Sequence, residues 1–165
     1  MTDNIKESLG ESEARRLETV GAQLATLLRE PEVARRLRDA PGENEWSTMQ
    51  VLGHLAEMLP YWIDQSRALI AVSGEPPRFG RPPDAPERLA GPERGAKGNP
   101  DQVLRAAEAA IQAAAQAIRQ MSAADLAKAG VHARRGPMTV ADIVESFMVG
   151  HAEEHLAQVR AALHA

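Results

Sequence analysis

The residues in this chain best suited to chemistry are histidines. His151 and His155, within "GHAEEHLAQV", stand four positions apart in a stretch with helical patterning. Side chains at i and i+4 lie one above the other on a helix, so two imidazoles at that spacing can share one metal ion. Advanced by about 100° per residue from Val140, the residues Val144, Phe147, His151, His155, Gln158 and Ala162 fall within roughly 80° of one another. The pair therefore belongs to the core-facing stripe. A lone histidine on such a stripe is usually a hydrogen-bonded core residue. A buried pair without a metal needs several polar partners and is destabilised by protonation.

His54 extends the pattern. It lies early in another helical stretch, on one side with Val51, Met58 and Tyr61. Three imidazoles from two helices leave a coordination position open, which suits a catalytic metal better than a structural one closed by four protein ligands. Imidazole ligands favour Zn, Ni, Fe or Cu over Mg or Ca. The other two histidines are expected to be solvent-exposed, His132 in a loop and His164 at a helix end.

Two better-known metal patterns fail. "HAEEH" spells H-x-x-E-H, a zinc-peptidase signature, but no glutamate follows His155 to complete it. A ferritin-like di-iron bundle needs Glu three residues before His. Those positions hold Val51, Ala129, Met148, Ala152 and Ala161.

The elements that must position these residues are helices. Hydrophobic residues make up 44% of the 165, yet aromatics only 3%, with Ala and Leu dominant and no β-branched runs. A first helix is expected over Ser12–Arg29, with Leu17, Val20, Leu24, Leu27 and Leu28 as its stripe. A short helical piece follows in "PEVARRLRDA". The second helix starts at Ser47, which forms a capping-box pattern with Gln50, and runs to about Val72 with a kink at Pro60. Residues 74–99 are rich in proline and glycine and read as a long non-helical connection. The third helix covers Asp101–Met121 and is Ala-rich; the fourth starts at Thr139, paired with Asp142 as a start signal. Helix rises place His54 and the His151/His155 pair at matching levels best if the second and fourth helices run antiparallel. A long crossover between the second and third helices would make them so. The expectation is an all-α, single-domain four-helix bundle over 1–165, with residues 1–11 flexible.

Charge narrows the partners. The net charge is −4 and no Lys/Arg cluster is interleaved with aromatics, so no nucleic-acid groove is expected. The absence of cysteine removes disulfides, thiolate ligands and a cysteine nucleophile. No run approaches the ~20 apolar residues needed to span a bilayer, and no signal-peptide pattern opens the chain, so no membrane partner and a cytoplasmic location are expected.

"NEWSTMQVLGHLAEM" and "MTVADIVESFMVGHAEEHLAQV" together resemble the DinB-like (DinB/YfiT) superfamily of metalloenzymes. The likeness rests on the Trp-Ser helix start with His seven residues after Ser, and on a last helix starting at Thr with His-x-x-x-His followed by Leu and Gln. It implies a four-helix bundle with a crossover, a metal triad at His54, His151 and His155, and a homodimer. Some relatives are thiol-dependent enzymes in which a divalent metal binds the sulfur of a low-molecular-weight thiol cofactor. The resemblance thus implies a divalent metal (Zn, Ni or Fe) and, within the enzyme reading, a thiol S-transferase ahead of a metal-activated hydrolase. A noncatalytic dimeric module binding metal or a small ligand stands beside the enzyme.

Further roles fall to nearby residues. Glu154 is the best acidic candidate in the fourth helix, to orient an imidazole of a neighbouring helix or act as general base; a solvated carboxylate is its plain alternative. Glu57 points farther from the ligand and reads as solvated. Tyr61 and Trp62 are candidates for a pocket wall. Arg78 and Arg81, in the long connection, are candidates to meet an anionic substrate or thiol cofactor.

Overall fold

The structure is a computed structural model and describes residues 9–164. Of the start expected to be flexible, residues 1–8 lie outside this range, and residues 9–11 open the first helix.

That helix, α1 (Leu9–Leu28), buries Leu17, Val20, Leu24 and Leu28 as its periodicity predicts, with Leu27 at the edge. A single turn, α2 (Pro31–Ala34), follows. α3 (Thr48–Ala71) starts at the predicted capping box: the Gln50 amide donates to Ser47 Oγ and the Ser47 amide to Gln50 Oε1. It continues through Pro60. α5 (Pro100–Arg119) is the Ala-rich helix, entered through an Asn99 cap, and its buried face is Ala107, Ala110, Ile111, Ala114, Ala115, Ala117 and Ile118. Small side chains there let α1 and α3 pack closely against it. The last long helix is composite. α7 (Val140–Ile143) is capped by Thr139 and Asp142 as expected, a π-helical turn spans Val144–Val149, and α8 (Gly150–His164) completes it.

Contacts set the directions. Arg16 meets Glu153 and Gln23 meets Arg160, so α1 and α8 are parallel. Gly10 lies against Ile118 and Gly21 against Ile111, so α1 and α5 are antiparallel. Trp62 stacks on Phe147 while Trp46, ahead of α3, stacks on His155, so α3 and α8 are antiparallel. α3 and α5 therefore run the same way, and the chain between them crosses the bundle.

That crossover corrects one expectation. Residues 74–99 are not free of helix: α4 (Pro86–Lys97) lies within them, antiparallel to α3. Pro86 sits in the first turn, where its missing N–H is not needed. Gly91, Pro92 and Gly95 are poor helix formers but buried, and packing overrides propensity. Gly53 of α3 meets Gly91 and Gly95 directly; a Cβ on Gly53 would stand 2.3 Å from the Gly91 carbonyl oxygen. Glycine on both helices is what allows the backbones so close.

A small sheet also joins the helices, where none was expected. β1 (Arg78–Phe79) pairs parallel with β2 (Ala129–His132), which pairs antiparallel with β3 (Gly136–Thr139). A short turn, α6 (Ala123–Leu126), precedes β2. The sheet ties the crossover to the connection before α7. Among the described residues no helix is long and apolar enough to cross a membrane.

Candidate metal centre

His54, one and a half turns into α3, meets His151 and His155 at the start of α8. His54 Nε2 is 3.3 Å from His151 Nε2, and His155 Nε2 is 3.0 Å from the same atom. The three candidate ligand atoms all lie within 4.8 Å of one another. Imidazole nitrogens ~2.1 Å from a tetrahedral zinc would stand about 3.4 Å apart. The donor set thus has the type and spacing of a metal half-shell.

Proton positions lead to the same reading. Gln158 Oε1 accepts from His155 Nδ1 at 2.9 Å, which leaves His155 Nε2 as a lone pair aimed at the other rings. One N–H among three facing nitrogens can satisfy only one of the two short contacts; a cation at their centre satisfies all three. His54 Nδ1 is buried without a hydrogen-bond partner among the described residues. Burial first, then the charges of the other two imidazoles, drives the His54 pKa down to about 3. Burial and His151 bring His155 down to about 4. Burial also lowers His151, with Glu154 opposing. All three are neutral at neutral pH, the form that binds metal. The residues present therefore fit a divalent cation.

The surroundings are built from several elements. Trp46 lies 4.8 Å from the His54 ring and stacks on His155 at 6.0 Å, closing one side. On the other side a cavity of about 510 Å³ opens over His54 and His151. Trp62 and Phe147 stack at 4.5 Å to form its aromatic wall. Arg81, Arg88, Arg134 and Arg135 also line it. Arg81 is neutralised, forming a two-point pair with Glu57 that includes a 2.7 Å bond and lying 3.8 Å over the Tyr61 ring. The π-helical turn places Phe147 and Ser146 on the cavity, and Arg16 of α1 holds it through Glu145 at 2.6 Å while also binding Glu153 of α8 at 2.8 Å.

Several expected roles change. His132 is not solvent-exposed: it is buried on β2, among Phe79 and Phe147, and borders the cavity. Glu154 does not reach a neighbouring helix. It lies 3.6 Å from Nδ1 of His151 on its own helix, with its side chain 80% exposed. Glu57 is not a solvated carboxylate but the partner of Arg81. Tyr61 lies behind Arg81, and Trp62 rather than Tyr61 faces the cavity. Arg78 is exposed on β1 and is not among the residues lining that cavity. His164 is exposed, as expected. Trp46, part of the Trp-Ser helix start, has its place beside the imidazoles only in the fold, and Arg88, Arg134 and Arg135 carry no signal in the sequence. Arg88 sits in a helix hidden by its Gly and Pro, and the two others in a hairpin without β-branched residues at its tip.

An up-down-down-up helical bundle with three imidazoles converging from two antiparallel helices defines a class: a four-helix metal-site protein. The family model of the DinB superfamily matches residues 16–159, and the chain belongs to that superfamily. No curated protein matches the sequence. The fold is similar to that of YfiT from Bacillus subtilis, described as a probable metal-dependent hydrolase with an unusual four-helix bundle topology. The match has a TM-score of 0.74 at 17% identity, over 98% of this chain and 90% of that one.

Proposed function

We propose that the protein is a divalent-metal-dependent enzyme whose ligands are His54, His151 and His155. The observation that carries this is the convergence of three neutral Nε2 atoms, with two of the imidazoles, His54 and His151, lining a cavity large enough for a small molecule. A bound cation would lower the pKa of a thiol or water at its open position. The chain's own residues do the rest. Trp46 shields the imidazoles from one side, and Gln158 fixes the His155 tautomer. Trp62 and Phe147 offer a flat apolar wall for a substrate.

The nucleophile we favour is a thiol from a low-molecular-weight cofactor, which makes the reaction an S-transfer. The chain contains no cysteine, so a sulfur nucleophile has to be brought in. Hydrolysis is the second reading, and the description of YfiT supports it. Glu154, at the cavity edge beside His151, is then the carboxylate placed to take a proton. We further propose a homodimer, as the family resemblance implies, to be tested by light scattering.

Elemental analysis of purified protein tests the metal: about one Zn, Ni or Fe per chain, lost on His54→Ala, is expected. Absence of metal after incubation with excess divalent ions would leave a noncatalytic helical module. Metal-loaded protein assayed with thiol plus electrophile, and separately with esters and amides, then separates transfer from hydrolysis.

A further inference from the structure

The cavity over the histidines is unequal in charge. Its lining contains four arginines and one carboxylate, that of Glu154. Arg81 is neutralised by Glu57, and Glu154 projects largely into solvent. Arg88, Arg134 and Arg135 form no ion pair among the described residues. Arg88 bonds only the Pro83 carbonyl, at 2.8 Å, and Arg135 lies 4.8 Å over the Phe147 ring.

These three are placed by separate devices. Arg88 is brought over the site by α4, whose glycine contact with α3 fixes its height. Arg134 and Arg135 sit at the tip of the β2–β3 hairpin, between the paired residues His132 and Gly136. The His132 ring holds that tip: its Nδ1 accepts from the Arg134 amide at 3.2 Å and from the Arg135 amide at 3.3 Å. Phe79 and Phe147 pack on the same ring. A buried histidine that gives its acceptor nitrogen to two consecutive arginine amides is a positioning residue for their side chains.

We infer that Arg88, Arg134 and Arg135 form an anion-recognition rim, and that the small molecule bound above the histidines carries two or more negative charges on carboxylate or phosphate groups. This deepens the enzyme reading above and rests on it for the location of the reacting end. The chemistry is direct. Guanidinium groups pair with oxyanions through two parallel N–H bonds, and a cleft of one charge sign concentrates ligands of the other. The apolar middle of the ligand would lie along Trp62 and Phe147, with its reacting atom toward the imidazoles.

Calorimetric titration of metal-free protein with succinate and with inorganic phosphate tests the rim separately from the metal. Saturable binding that weakens with added salt is expected. The tighter of the two ligands tells carboxylate from phosphate. Arg134→Gln and Arg88→Gln should each weaken binding about tenfold, and each should still load one metal per chain. Arg67→Gln, on the exposed side of α3, should bind like the parent. His132→Phe keeps the packing but removes the acceptor; it should weaken binding as an arginine variant does, with helical content unchanged. Absence of binding to either anion would overturn the proposal. So would unchanged affinity in both arginine variants, or loss of metal together with the anion. Failure of the parent to load metal while succinate binding obeys the arginine variants would sink the enzyme reading and leave the rim standing.

Discussion

The floor and the rim of the cavity are made in opposite ways. The floor is three histidines held by long, continuous helices whose core faces repeat every few residues. The rim is arginines held by the contact of three glycines, Gly53, Gly91 and Gly95, and by the tip of a short two-stranded hairpin. The floor is closed by Trp46 and uncharged; the rim is open and cationic. What this teaches is a division of labour. Metal ligands need positions fixed to within tenths of an ångström, and helices supply that. The rim arginines sit on the crossover and on a hairpin tip, where the chain can vary without disturbing the core.

Removing a ligand should have the largest effect. His151→Ala takes away the nitrogen that touches both other rings. Metal affinity should fall more than about 100-fold, with far-UV circular dichroism unchanged and succinate binding retained. Stoichiometric metal in that variant would place the site elsewhere.

Gly95→Ala attacks the rim through the fold. A Cβ there would stand 2.1 Å from the Met49 carbonyl oxygen, a contact only backbone movement can relieve. A loss of about 3 kcal/mol in urea unfolding is expected, with anion binding weakened because α4 carries Arg88. Metal loading should survive, since α4 contributes none of the three histidines. If metal and anion binding fell together, floor and rim would be one unit.

Glu57→Gln should act more mildly and in two directions. It leaves the largely buried Arg81 side chain without its charge partner, for about 2 kcal/mol of stability, less than a wholly buried pair because the cavity admits water. It also frees a fourth positive charge toward the cavity. Anion affinity should rise a few-fold while stability drops, and a fall in both would mean that Arg81 faces away from the ligand.

The same contrast explains what could be read in advance. The four long helices, the two capping boxes and the His54, His151 and His155 set follow from local rules of spacing and capping. The antiparallel pairing of α3 and α8 followed from matching the levels of the histidines. α4 escaped because Gly91, Pro92 and Gly95 lower helix propensity in the very places where they allow close packing. His132 escaped because its burial comes from Phe79, a residue 53 positions away that only the sheet brings near. The π-helical turn before His151 has no periodic signature; a count at 100° per residue passes through it unaware. Arg78 and Arg81 share one connection, but whether an arginine there faces the cavity, a carboxylate or solvent is decided by tertiary contacts.

The smallest expected effect concerns pH and separates the two regions once more. The His54 and His155 pKa values lie at about 3 and about 4, below the ordinary 6.5, because burial disfavours their charged forms. The unfolded chain therefore binds protons that the native floor refuses. Stability from these groups is fully present only well above pH 6.5, begins to fall as pH approaches 6.5, and is lost progressively as pH drops toward their native values. Between pH 7.5 and 6.5 the two together should remove roughly 0.7 kcal/mol from metal-free protein, read from paired urea melts. The rim should not respond over that range, because guanidinium groups do not titrate there. Succinate affinity should stay flat while unfolding stability declines. A stability curve as flat as the binding curve would mean that water reaches the imidazoles and that Trp46 does not seal them. A binding curve that bends with the stability curve would make the histidines, and not the arginines, the groups that hold the anion.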